Sequence, residues 1–219
     1  MGSVELNAGR DILIIHSHLI IYGNAATETI TSLLREEIET MWNEPNGTVL
    51  IDDKITNVSF RISAEYRPEI ADREIIENMD PRNNYFRIEE YAMGNISFVD
   101  GLGCNTGYFK LDNLYKGSTT AAHEYGHTLG LEHPRDLDIR GEGIPGIMYP
   151  RGTLVDAQFQ YNPAGLAGDS NNGGTMNPIH RRVRQRDIEL LNLHRLDYNN
   201  NRAILGEFSS VWHDEHRTI

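Results

Sequence analysis

Cysteine is almost absent from this chain: Cys104 is the only one in 219 residues. One cysteine cannot form an intrachain disulfide, which excludes the small scaffolds held together by disulfides. Long apolar runs are missing too. The longest, Ile12–Tyr22, is too short to cross a membrane as a helix and contains His16 and His18. The sequence therefore predicts no membrane partner and leaves the redox state of its compartment open.

Basic residues are in deficit, with 20 Lys and Arg against 32 Asp and Glu and a formal net charge of −12. Binding to nucleic acid needs a basic surface that neutralises phosphates, so this balance argues against a nucleic-acid partner. One basic run, 181–186, opposes the trend. The favoured interpretation is the solvated start of a helix, and the alternative is a contact with an acidic partner or an acidic stretch of the same chain.

The N-terminus lacks the charged and apolar regions of a secretory signal. Met1-Gly2-Ser3 resembles the remnant of an expression vector, so we expect a leader or a larger upstream region to have been removed. A hydrophobic content of 39% with 24% charged residues is typical of a soluble globular protein. We expect a single domain, 1–219, with an N-terminal subdomain over about 4–131 and a C-terminal subdomain over about 132–219.

Apolar periodicity and turn signals predict an α+β fold whose cleft separates two unequal halves. The region 133–178 is irregular and rich in Gly, Pro and Asn. It contains 151–178, which we interpret as a specificity loop beside the cleft or a disordered insertion. Strands are predicted at 12–22, 48–51, 55–66, 85–91, 96–99 and 108–111, and helices at 27–42, 118–131 and 183–196, with a short helix within 67–82.

The residues that indicate chemistry lie at 123–133 and read HEYGHTLGLEH. His123 and His127 are four apart on a predicted helix, so their side chains project from one face with about 5–6 Å between Cβ atoms. That separation lets two imidazoles converge on one Zn²⁺ at about 2.0–2.1 Å each. Glu124 is displaced round the helix, so it misses the metal but can reach a water molecule beside it.

Gly130 can end this helix in the left-handed conformation and turn the chain sharply, which returns His133 as a third ligand. Three protein ligands leave a coordination position free, as in catalytic rather than structural zinc sites. The alternative is that His123 and His127 are ordinary surface or core histidines. It is disfavoured because the glycine and the third histidine fall where a metal site needs them.

This string resembles the metzincin signature, HExxHxxGxxH, at every fixed position. Metzincins have a methionine turn beneath the metal, and Gly146–Pro150, which reads GIMYP, resembles the turn of the matrix metalloproteinases. The stretch 130–134, Gly-Leu-Glu-His-Pro, is more similar to the serralysins. The chain therefore resembles the matrixin–serralysin group as a whole, strongly over about 118–150 and only in architecture elsewhere.

The resemblance implies a mixed twisted sheet, an active-site helix and a loop-rich C-terminal subdomain that ends in a helix. The helix at 27–42 would lie behind the sheet, and 183–196 would be the C-terminal helix. The strand near Tyr108 would be the antiparallel edge that lines the cleft. A protein or peptide substrate would lie extended along that edge.

The resemblance also implies a secreted or extracellular zinc metalloendopeptidase that acts as a monomer. One catalytic Zn²⁺ would be held by His123, His127 and His133. Glu124 would serve as general base towards a metal-activated water, and Met148 would form the structural turn.

Two features depart from the resemblance. Met148 is farther from His133 than in typical matrix metalloproteinases, and Gly174–Pro178 offers a second turn around a methionine. Met148 is favoured because its neighbours match. Pro150 stands where astacins and serralysins place a tyrosine that serves as an extra ligand or oxyanion donor, so Tyr149 is not expected to take that role.

Three weaker signals have ordinary alternatives that we favour. Asp100–Gly103 resembles the matrixin calcium loop, so Ca²⁺ is a candidate ion, but a simple turn suits the same residues. Cys104 is comparable with the thiolate that caps zinc in latent matrix metalloproteinases, yet a plain free thiol is favoured. His16 and His18 share a strand face and could bind a second metal, although partly buried histidines fit the pattern as well.

Other functions fit the same residues. The chain could be the terminal protease toxin or effector domain of a larger secreted bacterial protein. It could also be a catalytically silent zinc-bearing interaction module, although the intact Glu124 argues against that. A zinc hydrolase acting on a non-peptide amide is a further alternative.

Overall fold

The computed structural model describes residues 1–7, 9 and 11–216. The strands are β1 (Gly2–Asn7), β2 (Ile12–Tyr22), β3 (Thr48–Ile51), β4 (Lys54–Tyr66), β5 (Asn83–Glu89), β6 (Phe98–Val99), β7 (Thr106–Lys110) and β8 (Arg202–Leu205). The α-helices are α1 (Glu28–Asn43), α2 (Asp72–Ile76), α3 (Thr120–Thr128) and α4 (Gln185–Leu190). Short 3₁₀ turns lie at 93–95, 111–113, 157–159, 170–172, 178–180 and 193–195.

The eight strands of the described residues belong to one mixed sheet, in which β3, β4, β2, β5, β7 and β6 follow one another. Parallel pairs join β2 to β4, β2 to β5 and β5 to β7. Antiparallel pairs join β3 to β4, β6 to β7, β1 to β2 and β1 to β8. The α+β fold with a mixed sheet and few helices is therefore confirmed.

Helix α1 packs across the sheet, close to the predicted bounds of 27–42. The Thr27 side chain accepts a hydrogen bond from the Ile30 N–H at 3.2 Å, as an N-cap threonine does. The apolar stripe predicted from the spacing is buried at Leu34, Ile38 and Trp42. The Trp42 ring lies 5.1 Å from that of Phe60 on β4, so helix and sheet share one core.

The expectation that the strand near Tyr108 is the antiparallel edge is wrong. Tyr108 belongs to β7, which runs parallel to β5 on one side and pairs with β6 on the other. Tyr108 and Phe109 are both fully buried, and burial on both faces is typical of an interior strand. At this end of the sheet the antiparallel edge is the two-residue β6.

The C-terminal helix is shorter than the predicted 183–196. Helix α4 ends at Leu190, and Asn192, with φ of +51°, takes the left-handed conformation that interrupts it. A 3₁₀ turn follows at Leu193–Arg195. Helix α3 is also shorter than its predicted range and begins at Thr120 rather than at residue 118.

The first residues form part of the sheet, which the sequence analysis did not predict. Ser3 pairs with His16 on β2 and with Ile204 on β8, and Val4 is fully buried. The Met1 carbonyl accepts a hydrogen bond from Ser17 Oγ at 2.8 Å. Met1-Gly2-Ser3, which resembled a vector remnant, is thus integral to the fold.

The irregular region 151–178 folds around a small apolar core that it shares with Ile139 and Tyr149. Ile139, Val155 and Met176 form this buried cluster, and the partly buried Tyr149 and Phe159 pack against it. A disordered insertion is therefore the wrong interpretation of this region. None of the helices in the described part of the chain is long and apolar enough to cross a membrane.

Candidate metal centre

Helix α3 places His123 and His127 one turn apart on the same face. The helix ends at Thr128, Leu129 is its C-cap, and Gly130 follows with φ of +93°, a backbone conformation that would be strained in a residue with a side chain. The Leu131 N–H donates to the Gly126 carbonyl at 3.0 Å, which closes the turn. The chain then reverses and carries His133 back towards the helix.

The three histidines converge through their Nε2 atoms. His133 Nε2 lies 3.0 Å from His123 Nε2 and 3.1 Å from His127 Nε2. His123 Nδ1 lies 2.7 Å from the Ile147 carbonyl, and His127 Nδ1 lies 2.7 Å from the Leu131 carbonyl. Carbonyls only accept, so both Nδ1 atoms carry the proton and both Nε2 lone pairs point at the common centre.

This donor set fits a zinc ion. Three neutral imidazole nitrogens that face one another cannot all form hydrogen bonds with each other, whereas all three can ligate one Zn²⁺. Burial lowers the pKa of His127 to about 4 and holds that of His123 well below its usual range. Both rings are therefore neutral at pH 7, as metal ligation requires. In the part of the chain that the structure describes, these histidines are the only group of three or more His, Cys, Asp or Glu side chains close enough together to share one metal ion.

Glu124 lies beside the histidines in a small cavity. Its side chain is 7% exposed, and burial raises the pKa of its carboxyl group to about 8, while Arg181 and Arg151 oppose that rise. The cavity, of about 130 Å³, is also lined by His123 and His133. The carboxylate therefore shares one small space with two of the histidines.

The two candidate methionine turns lie in different places. The Met148 Sδ is 2.3 Å from where a Cβ would stand on Gly126, so this methionine lies directly against α3. Met176 belongs to the separate cluster with Ile139 and Val155. The turn at 146–150 is joined to the histidines through the Ile147 carbonyl, which His123 contacts.

Two hydrogen bonds join helix α1 to the start of α3. The Trp42 Nε1–H donates to the Ala122 carbonyl at 3.0 Å, and the Ala122 N–H donates to Glu37 Oε1 at 3.4 Å. Burial raises the pKa of the Glu37 carboxyl group, and the N–H groups of α3 oppose the rise. The apolar spacing of helix α1 includes Trp42, but the sequence does not predict the contacts of Trp42 and Glu37 with Ala122, because nothing local connects 37–42 to 122.

Arg181 is the main site residue that the sequence analysis missed. The basic run 181–186 predicts a solvated helix start, but Arg181 is only 3% exposed and lines the cavity beside Glu124. Its Nε donates to Thr119 Oγ1 at 2.9 Å and its Nη1 to the Tyr149 carbonyl at 3.2 Å. No local signal distinguishes Arg181 from the exposed Arg182 that follows it.

The weaker metal expectations gain no support. Asp100 lies 2.9 Å from His213 Nε2 and accepts a hydrogen bond from Thr106, so its carboxylate is already partnered within the fold. His18 Nδ1 contacts Ser63 Oγ at 2.8 Å, and His16 joins no group of three ligands among the described residues. Burial raises the pKa of the Cys104 thiol, which fits an unreactive free cysteine.

Comparison with known proteins finds similarity only at the level of solved structures. No protein-family model and no curated protein sequence matches the chain. An archaemetzincin from Methanopyrus kandleri aligns with a TM-score of 0.41 and 14% identity over 82% of this chain and 95% of that one. Myroilysin aligns with a TM-score of 0.37 and 13% identity over 90% of this chain and 100% of that one.

Proposed function

We propose that this chain is a zinc-dependent endopeptidase. His123, His127 and His133 would hold one Zn²⁺, and Glu124 would act as general base. The observation that carries the proposal is the convergence of three Nε2 atoms, with two of these histidines, His123 and His133, sharing a cavity with the buried Glu124. A structural zinc site has four protein ligands, whereas the ligand group in the described residues has three histidines and does not include Glu124.

Zn²⁺ would supply Lewis-acid chemistry, polarising the scissile carbonyl and lowering the pKa of a water to about 7. Glu124 would take the proton of the attacking water and return it to the leaving amine. The two hydrogen-bonded Nδ1 atoms keep His123 and His127 in the tautomer whose Nε2 lone pairs would face a bound metal. Glu124 is buried, so bulk water has little access to the proton that its carboxylate would accept.

A peptide substrate would lie extended beside β6. Asn95, Ile96 and Ser97 come directly before that edge strand and line the same cavity as Glu124. The edge of a sheet offers unpaired backbone groups, so an extended peptide can add to it by β-augmentation. A peptide bound in this way would have its scissile bond next to the histidines.

The test compares the zinc-loaded wild type with Glu124→Ala and the near-isosteric Glu124→Gln on an unfolded protein mixture, with cleavage sites read by mass spectrometry. We expect cuts by the wild type and at least about a hundredfold fewer with either variant, the usual scale for loss of general acid–base catalysis. Zinc content is measured on each sample, and we expect about one ion per chain in all three.

Loss of zinc in Glu124→Gln would show that the variant fails for a reason other than proton transfer. Equal cleavage by the wild type and Glu124→Gln would refute the role of Glu124. Bound zinc without cleavage of any protein would favour a silent zinc-bearing module or a hydrolase of non-peptide amides.

A further inference from the structure

The cavity beside the histidines is positively charged although the chain is acidic. Two guanidinium groups, those of Arg151 and Arg181, line it together with a single carboxylate, that of Glu124. The formal net charge of the whole chain is −12, so the positive charge is a local feature of this cavity. A bound metal cation would make the cavity more positive still, which favours an anionic occupant.

Arg181 is buried without an ion-pair partner. Its Nε donates a hydrogen bond to Thr119 Oγ1 and its Nη1 donates one to the Tyr149 carbonyl. These two hydrogen bonds hold the guanidinium group in place. Among residues 1–7, 9 and 11–216, no carboxylate lies within ion-pair distance of it, although Glu124 is near enough to act on its charge. A buried guanidinium is normally paired, because desolvating an unpaired charge is expensive.

Thr120 supplies a second unsatisfied group in the same cavity. Its side chain is 5% exposed and its Oγ1 has no hydrogen-bond partner in the described part of the chain. Buried hydroxyl groups almost always have a partner, so an orphan at a cavity wall indicates a ligand atom that belongs there. Oγ1 can donate one hydrogen bond, which suits an oxygen acceptor.

Arg151 brings a third donor from the turn that follows Met148. Its side chain is exposed, and its Nη2 donates to Asn113 Oδ1 at 3.1 Å, which turns the guanidinium towards the cavity. Three donors from separate segments thus face a space of about 130 Å³, room for a short side chain or several waters.

We propose that Arg181, Arg151 and the Thr120 hydroxyl form a pocket that binds a carboxylate of the substrate, so that the enzyme selects an acidic group beside the scissile bond. The proposal rests on the peptidase function above and names its substrate class. Planar guanidinium groups match the two oxygens of a carboxylate, and the threonine hydroxyl completes the set of donors. The carboxylate belongs either to an Asp or Glu side chain or to the C-terminus of the peptide.

The test uses matched peptide pairs that differ only in Asp against Asn, or Glu against Gln, at each position flanking a mapped cleavage site. Each peptide is made with a free and with an amidated C-terminus, which separates the two sources of the carboxylate. We expect kcat/KM for the acidic peptide to exceed that for its amide partner by about ten- to a hundredfold, the scale of one or two charge-assisted hydrogen bonds.

Three variants should lower the ratio of kcat/KM between the acidic and the amide peptide. Arg181→Lys keeps the positive charge but loses the forked set of N–H donors. Arg151→Gln changes an exposed position, and Thr120→Val removes only the unpaired hydroxyl group. Arg140→Gln is the matched control, because Arg140 is exposed and does not line the cavity. It should leave the ratio unchanged. Arg151→Gln and Thr120→Val keep the test valid if Arg181→Lys fails to fold.

A second readout does not depend on turnover. Calorimetry measures binding of the same Asp and Asn peptides to zinc-loaded Glu124→Gln, where the acidic peptide should bind at least about tenfold more tightly. If the wild type cleaves peptides with an acid-to-amide ratio near one, the carboxylate pocket is refuted and the peptidase stands. If nothing is cleaved, the peptidase proposal fails, and the calorimetric ratio alone supports or refutes the pocket.

Discussion

Gly126 stands in the middle of α3, where a glycine is about 1 kcal/mol less favourable than an alanine. The reason for this glycine lies outside the helix. A Cβ at this position would come within 2.3 Å of Met148 Sδ and 3.2 Å of Trp42 Cζ2. The missing side chain therefore lets the methionine and the tryptophan pack directly against the backbone that carries the histidines.

We predict that Gly126→Ala lowers the free energy of unfolding of the zinc-loaded protein by about 1–3 kcal/mol, because overpacking outweighs the gain in helix propensity. Urea denaturation measures the effect. Gly152→Ala is the control, since a Cβ there meets nothing within 4 Å, and it should change stability by less than about 0.5 kcal/mol. A stable Gly126→Ala protein would mean that Met148 moves aside freely.

At the scale of elements, α1 and α3 are joined by Trp42. Its ring is fully buried, lies 5.1 Å from Phe60 and 5.8 Å from Tyr125, and its Nε1–H reaches the Ala122 carbonyl. One side chain thus sets the distance of the histidine helix from both α1 and the sheet.

We predict that Trp42→Phe lowers the free energy of unfolding by about 2–4 kcal/mol, because it creates a cavity and removes a buried hydrogen bond. The chain has two tryptophans, so Trp212→Phe is a matched control. Trp212 is only partly buried, stacks on Tyr22 and donates to the exposed Asp214. Its substitution should cost less than half as much in the same urea titration, and equal losses would contradict the role given to Trp42.

At the scale of the whole molecule, a titratable group of the C-terminal region, the Asp187 carboxyl group, lies against the turn beneath α3. Asp187 is 7% exposed, accepts the Arg184 N–H at 2.7 Å and lies close to Gly146. Burial raises the pKa of its carboxyl group to about 6 from 3.8. Between these two values the folded chain holds the proton more tightly than the unfolded chain, so protonation of Asp187 stabilises the fold as pH falls through 6.

We predict that the wild type gains stability relative to Asp187→Asn by on the order of 2 kcal/mol when pH falls from 7 to 4. The variant cannot take up this proton, and other titrating groups cancel in the difference. Chemical denaturation of both proteins at pH 7, 6, 5 and 4 gives the two curves. A difference independent of pH would show that Asp187 titrates alike in the folded and unfolded chain.

The sequence by itself determined the features that depend on local spacing. The four-residue interval from His123 to His127 and the glycine at 130 predicted a helix, a turn and a returning histidine, and the structure brings the three rings together. Helix α1 and strands β2, β3 and β4 followed from periodicity in the same way. These elements can be predicted from the sequence because the helix period of 3.6 residues and the strand period of 2 residues depend only on residues that are close together in the chain.

Only the tertiary structure decided which strand is the edge, that the residues before Asn7 pair with β2 and β8, and that Arg181 is buried beside Glu124. Each depends on segments far apart in the chain. A basic residue in a basic run has the same local signature whether it is solvated or buried. What separates Arg181 from Arg182 is the packing of 178–182 against Thr119 and Tyr149, which brings distant parts of the chain into hydrogen-bond contact.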